Sequence, residues 1–429
     1  MDTIDLESSL QQPLCSRCQT GRIRPINISG THLLLDCPHC HCRPIAELPT
    51  IKKTLVYLDT STVSHLARGM RAGWPDARWE RLYNALCQAT GDEFLCCVCS
   101  SIVESEAELT LHVDIINEMC TQLGNCKPRY PLDVENAQLF RALDRYLSGT
   151  VASTESSLPR EDAWDDDPNL WQELLRIGLF SSRPPDDELD RRHSARAALS
   201  DEVTSIYARY ATDELGFEAI RELEARGYGL GLLNDGLLAI QRRRCYSRSR
   251  VPLALLLQTP FDQVANEIKS RLEIGAIEAM ERAAEFLRSD HVATIPIADI
   301  GSRLRTGMAL MARGPTPRRA STGDAEDIEH IATFAPYVDV FIADGFAASL
   351  CNRPDVSIGD AYAVKIRSVG ANDVDNFITE IEELRRRCAH LDLVNRVHQS
   401  IEKGGYIRER MAALQCQKWA GSDVRNKKK

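Results

Sequence analysis

The chain has 429 residues, enough for two or three domains, and its 43% hydrophobic and 27% charged content belongs to a globular protein with a sizeable core. No apolar run approaches the about 20 residues that a membrane-spanning helix needs, and the acidic, polar start lacks the basic and apolar regions of a secretion signal. Secretion and membrane insertion are therefore not expected, and a cytoplasmic location is. The net charge of -10 argues against a protein that coats nucleic acid through bulk electrostatics. It leaves room for a nucleic-acid enzyme, which needs only a local basic path and, for a metal centre, carboxylates.

In chain order, residues 1–48 form a cysteine-rich unit. Without a secretion signal, 15 cysteines read as free thiols or metal ligands rather than disulfides. Cys15-Ser-Arg-Cys18 and Cys37-Pro-His-Cys40 supply two tight turns with two thiolates each, the spacing of a tetrahedral zinc site. Gly21 after the first pair and the strand-like His32–Leu35 before the second fit a zinc ribbon. His39 and Cys42 stand close enough in sequence to replace one ligand. A closed four-sulfur site has no open coordination position, so its zinc is expected to be structural. Arg17, Arg22 and Arg24 offer weak phosphate contacts.

A β-branched run, Thr54–Leu58, reads as a buried strand ending at Asp59. A helix follows over 62–71, with Val63, Leu66 and Met70 on one face. Residues 94–99 form a second strand in which Cys96, Cys97 and Cys99 read as small packing residues, and a helix starts near Ile102. The segment 110–312 is expected to be mostly helical, with periodicity in 191–227, 230–244 and 262–288. It is broken by the acidic stretch from Glu161 to Pro168, read as a solvated loop, and by Pro184-Pro185-Asp186-Asp187. A loop over 313–322, a helix over 325–334, a strand over 338–343 and a helix over 373–388 complete the pattern. Strand and helix alternate at both ends of a helical middle. The expected fold is α/β, with a small parallel sheet, a large helical insertion and the ribbon in front. The division is a ribbon over 1–48 and an α/β domain over 52–429, with 110–312 inserted.

Acids stand where such a sheet binds ligands. Asp59 and Asp344 close strands, and acids at the carboxyl ends of parallel strands point into the ligand crevice. Glu104 and Asp327 sit at helix starts. Carboxylates gathered in one crevice need a cation, and hard oxygen donors with open water positions suit Mg²⁺ or Mn²⁺. Such an ion can activate water and polarise a phosphodiester. Each acid also has a plainer role: Asp59 as a helix cap, Glu104 in a capping box with Ser101, Asp327 as a first-turn acid. Glu106 and Glu108 compete with Glu104, and Asp324 competes with Asp327.

The run Leu58-Asp59-Thr60-Ser61-Thr62-Val63-Ser64 resembles the opening motif of PIN-domain nucleases. The stretches Asp327-Ile328-Glu329-His330-Ile331-Ala332 and Tyr337 to Asp344 resemble that family's closing half. The resemblance implies a Rossmann-like α/β/α core and Mg²⁺- or Mn²⁺-dependent hydrolysis of RNA that leaves a 5′-phosphate and a 3′-hydroxyl. It assigns Asp59, Glu104, Asp327 and Asp344 to the metal, Thr60 or Thr62 to a supporting hydroxyl and His330 to a position behind the acids. A toxin or defence role would suit such a nuclease. The long insertion and the ribbon depart from compact members of the family.

No P-loop, HExxH or GxSxG motif is present, and Ser61 stands where a haloacid-dehalogenase-type phosphatase needs a second aspartate. RNA is the expected substrate, with DNA as a second candidate. A homodimer or an inhibitory partner is left open. Basic strips at Arg242–Arg244 with Arg248 and Arg250, at Arg313, Arg318 and Arg319, and at Arg385–Arg387 could carry the strand, and Tyr246 could stack a base. The rival function is a non-catalytic adaptor whose ribbon binds protein or nucleic acid.

Overall fold

The structure is a computed structural model and describes residues 3–74, 76–98, 103, 113–123, 126, 128–155, 158–172, 210, 214–245, 258–313, 322–370 and 373–404. A short helix, Leu6–Leu10, precedes three antiparallel strands, β1 (Arg24–Ser29), β2 (His32–Asp36) and β3 (Ile45–Glu47), in the order β1-β2-β3. Gly30, at φ +58, makes the tight turn between β1 and β2, a conformation that costs glycine little. Pro25 cannot donate to the ladder, and the register shifts beside it, between Pro25 and Asn27. Ile28, Leu33, Leu35 and Ala46 fill the inner face, and their core continues into Trp171 and into Val394, Val397 and Ile401 of the helix Leu391–Gly404.

The second sheet holds β4 (Thr54–Leu58), β5 (Leu95–Val98), β6 (Val340–Ala343) and β7 (Lys365–Ser368), all parallel, in the order β5-β4-β6-β7. Strands covered on both faces read as continuous apolar runs rather than alternating ones. That is the character of β4, β5 and β6, and Cys96 and Cys97 are fully buried packing residues as expected. Tyr57 stacks between Phe341, at 4.4 Å, and Phe334, at 5.5 Å. Strand β7 was not expected, because its Lys-Ile-Arg-Ser run is short, charged and at the sheet edge.

Two helices, Thr60–Ala72 and Ala77–Gly91, join β4 to β5. The chain later crosses back to place β6 on the other side of β4. The strand order therefore reverses between β4 and β6, which makes the crevice at their carboxyl ends the topological switch point.

The helices Pro131–Leu147, Phe217–Cys245, Pro260–Leu272, Ala276–Leu287, Asp290–Ala293 and Pro296–Ala312 share a core of their own around Phe261, Ile268 and Phe286. The last of them also sends Ile300, Leu304 and Met308 into the sheet's core. Buried Asp299 ties this helix to its neighbours, accepting from Arg221 (2.7 Å), Arg303 (2.9 Å) and the Tyr362 hydroxyl (3.0 Å).

Several expected boundaries move. The periodic stretch 262–288 is two helices, separated where Glu273 turns left-handed before Gly275. The stretch 230–244 is the second half of one helix that begins at Phe217, and 191–209 lies outside the described residues. The strand expected over 338–343 starts at Val340, after a 3-10 turn at Ala335–Tyr337. The acidic run is only partly solvated, because Asp162 is buried against Arg141 at 2.5 Å and Asp165 pairs with Arg129 at 3.3 Å. Pro184 to Asp187 and the loop residues 314–321 lie outside the described residues.

Candidate functional site

Two places gather chemistry. In the first, both cysteine pairs adopt the same turn. Gln19 donates its backbone N–H to the Cys15 carbonyl (2.9 Å) and His41 to the Cys37 carbonyl (2.8 Å), and both residues turn left-handed at φ 54 and 56. The Sγ atoms of Cys15, Cys18, Cys37 and Cys40 all lie within 4.8 Å of one another. Cys15 and Cys40 are 3.6 Å apart, and Cys18 and Cys37 are 3.7 Å apart. A zinc tetrahedron with Zn–S bonds of about 2.3 Å has sulfur–sulfur edges of about 3.8 Å, so the group can hold zinc.

The protonation pattern suits the same purpose. Cys18 is pushed down to about 5, first by the Thr20 hydroxyl and then by the Gly21 N–H. Cys40 is pushed up to about 12. The Cys42 N–H lowers it, but burial and the neighbouring thiols outweigh that contact. One thiolate forms readily and the last proton is hard to remove, a conflict that a divalent cation resolves. The Cys42 sulfur lies 3.3 Å from that of Cys15, but neither Cys42 nor His39 belongs to the four-residue group.

The second place is the switch point. Asp59 and Asp344 end β4 and β6 in the same conformation, φ -69, ψ 165 and φ -62, ψ 166, and each caps the helix that follows. The Asp59 backbone N–H reaches the Ile342 carbonyl at 3.2 Å, which keeps the two strand ends together. Asp59 Oδ1 accepts from the Thr62 N–H at 3.0 Å, and Oδ2 accepts from the Ser61 hydroxyl at 2.9 Å. Burial raises the Asp59 carboxyl above its ordinary range. The Thr62 and Ser61 bonds oppose that shift, and the charge of Asp344 adds to it. Asp344 Oδ1 accepts from the Ala347 N–H at 2.6 Å.

The helix Thr322–Phe334 brings Asp324 and Asp327 to the same edge. Both line a small cleft with Met308, Phe346 and Ala347, beside the first turn of the helix that Asp344 caps. Asp324 is buried and Asp327 half-buried. Buried Cys351 feels both neighbouring acids: its thiol is pushed up to about 12 by burial and then by the charges of Asp327 and Asp344. Among the described residues no three carboxylates come within 4.8 Å of one another. Glu104, Glu106 and Glu108 lie outside the described residues. His330 is buried with Nδ1 3.3 Å from the Tyr57 hydroxyl, behind the strand rather than at its end.

Some arginines of the expected basic strips are engaged within the fold. Arg243 pairs with Asp262 at 2.6 Å, Arg313 donates to the carbonyls of Tyr210 and Leu215, and Arg385 pairs with Asp92 at 2.8 Å. Tyr246, Arg248, Arg250, Arg318 and Arg319 lie outside the described residues. Sequence reasoning passed over Ser61 as a partner of Asp59, although it stands two residues on, within reach of a strand-end acid.

The chain is thus an α/β protein with a four-stranded parallel sheet and an N-terminal antiparallel sheet that carries a four-cysteine cluster. No protein-family profile, no curated protein and no solved structure matches it. Among the described residues no helix is long and apolar enough to cross a membrane.

Proposed function

We propose that the protein is a metal-dependent endoribonuclease of PIN-like type, with Asp59, Asp344, Asp327 and Glu104 as its acids and zinc in the ribbon as a structural ion. The observation that carries the reading is the pair Asp59 and Asp344, on adjacent parallel strands at the switch point, where the charge of Asp344 adds to the cost of ionising buried Asp59. The donors fit a hard divalent cation. They are carboxylate oxygens, one of them buried, and Asp344 Oδ2 makes no hydrogen bond among the described residues. Mg²⁺ or Mn²⁺, when bound, supplies an activated water and polarisation of the phosphodiester.

The chain's own groups supply position. Ser61 and Thr62 fix both Asp59 oxygens before any ligand arrives, so little reorganisation accompanies binding. The Ala347 N–H fixes one Asp344 oxygen. Asp327, with Asp324 on the same helical face three residues away, adds negative charge on the side of Phe346.

The test is cleavage of a mixed pool of labelled single-stranded RNAs with Mn²⁺, comparing the wild type with Asp59→Asn and Asp344→Asn. Cutting that needs metal and falls by at least about 10²-fold in both variants supports the reading. Equal cutting by all three proteins rejects these acids. No cutting by any of them favours the adaptor function.

A further inference from the structure

Beyond the carboxylate edge, the turn between the helices Thr60–Ala72 and Ala77–Gly91 holds an open cleft of about 930 Å³, lined by His65, Arg68, Arg71, Trp74, Asp76 and Trp79 among others. It lies toward the far end of the helix that Asp59 caps. At about 1.5 Å per residue, Arg68 stands roughly 12 Å along that helix from its start.

Its aromatic walls are braced from behind. His65 and Trp79 stack with ring centres 4.9 Å apart at 21°. Trp74 lies on the bare backbone of Gly69, where a Cβ would come within 2.0 Å of the indole, and leans on Tyr83 at 5.6 Å. Gly73, at φ +83, makes the reversal that aims Trp74 back over the helix. Partial burial, followed by the charge of Arg68, holds His65 below its ordinary range.

Among the described residues that line the cleft, Arg68 and Arg71 outnumber the one acid, Asp76. The acid of the cleft, Asp76, is held bidentately by Arg78, at 2.7 and 3.1 Å, and by the Arg78 N–H at 2.9 Å. Arg68 is exposed at the rim, its Nε donating to the Ser64 carbonyl at 3.2 Å, and Arg71 is exposed one helical turn further on. Indole faces alone would suit a cationic ligand, but the Arg68 guanidinium at the rim repels one. Aromatic plates beside cations suit a planar ring that carries an anion.

The geometry points to a nucleotide-binding cleft, in which a nucleobase lies against Trp74 and Trp79 and its phosphate meets Arg68. The ligand is a nucleoside phosphate, either free or as one unit of a single strand, and its binding does not depend on the nuclease reading. Calorimetric titration of the full chain carrying Asp344→Asn, without added divalent cation, tests this with AMP, adenosine, ribose 5-phosphate and an adenylate hexamer.

Binding of AMP marks a site for free nucleotides, and binding of the hexamer alone marks a site for a strand. In either case adenosine and ribose 5-phosphate bind at least about tenfold more weakly. The added changes Arg68→Glu and Trp79→Leu each weaken binding by about tenfold or more. Arg68 is exposed, so its replacement leaves the circular dichroism and melting of the protein unchanged. Three results overturn the proposal: no binding by AMP or hexamer, binding that Arg68→Glu leaves intact, or ribose 5-phosphate binding as tightly as AMP.

Discussion

At the scale of single residues, the ribbon depends on an atom that is absent. A Cβ on Gly21 would stand 2.7 Å from the Cys37 sulfur and 2.9 Å from the His39 Cβ. The Gly21 N–H also reaches the Cys18 sulfur at 3.4 Å, and its carbonyl accepts from the Cys15 N–H at 2.7 Å. Gly21→Ala therefore pushes one ligand sulfur out of place without removing any ligand. The expected outcome is a zinc content well below one per chain after dialysis, measured with a chromogenic chelator, and a lower melting midpoint. Gly149→Ala is a useful control, since Gly149 stands at positive φ, unlike Gly21, and a Cβ there meets nothing within 4 Å. Its backbone strain costs stability with zinc retained. Full zinc in Gly21→Ala would show that the cluster tolerates the displacement.

At the scale of elements, the strand-end acids were legible because the sequence writes their context locally: an apolar run, an acid, then a helical face. Asp59 and Asp344 need no long-range information to be placed. The choice between Asp324 and Asp327 was not legible, because one helical turn separates them and both reach the same cleft. The Trp74 and Trp79 cleft was invisible for a different reason. Its members come from two helices and the reversal between them, and only folding makes them neighbours. The edge strand β7 was missed because Lys365 and Arg367 face Glu380 of the helix Val374–Arg387 and interrupt the apolar pattern that marks a strand.

The helix Leu391–Gly404 carries a pH dependence. Burial holds the His398 imidazole below its ordinary range against the opposing charges of Glu93, Asp92 and Glu402. A histidine with a depressed folded pKa binds fewer protons folded than unfolded. Its contribution is therefore complete above about 6.5 and is lost as pH falls through the depressed value. The melting midpoint of the wild type is expected to drop more between pH 7.5 and 5.5 than that of His398→Gln. Parallel profiles for the two proteins would assign the acid sensitivity elsewhere.

At the scale of the whole molecule, buried chemistry anchors the start of the α/β domain beside the ribbon. Lys53, just before β4, pairs with Glu93, just before β5, at 2.6 Å, with both side chains fully buried. Glu93 also accepts from the Gln172 N–H at 2.7 Å, and the Trp171 indole N–H reaches the Pro49 carbonyl at 2.7 Å. On the outer side, Arg396 grips Glu7 at 2.8 and 3.0 Å, while Val394, Val397 and Ile401 complete the ribbon's core. The helix Leu391–Gly404 thus packs on a unit whose interior is small, and small interiors rely on a metal for stability. Removing zinc with a chelator should therefore speed amide exchange in 14–47 and also in 391–404. β4 and β6 should stay protected, because their core of Leu55, Tyr57, Phe341 and Ile342 contains no ribbon residue. Exchange measured by mass spectrometry separates the alternatives. Faster exchange confined to 14–47 would make the ribbon an independent unit, and a rise across both sheets would make zinc a requirement for the entire fold.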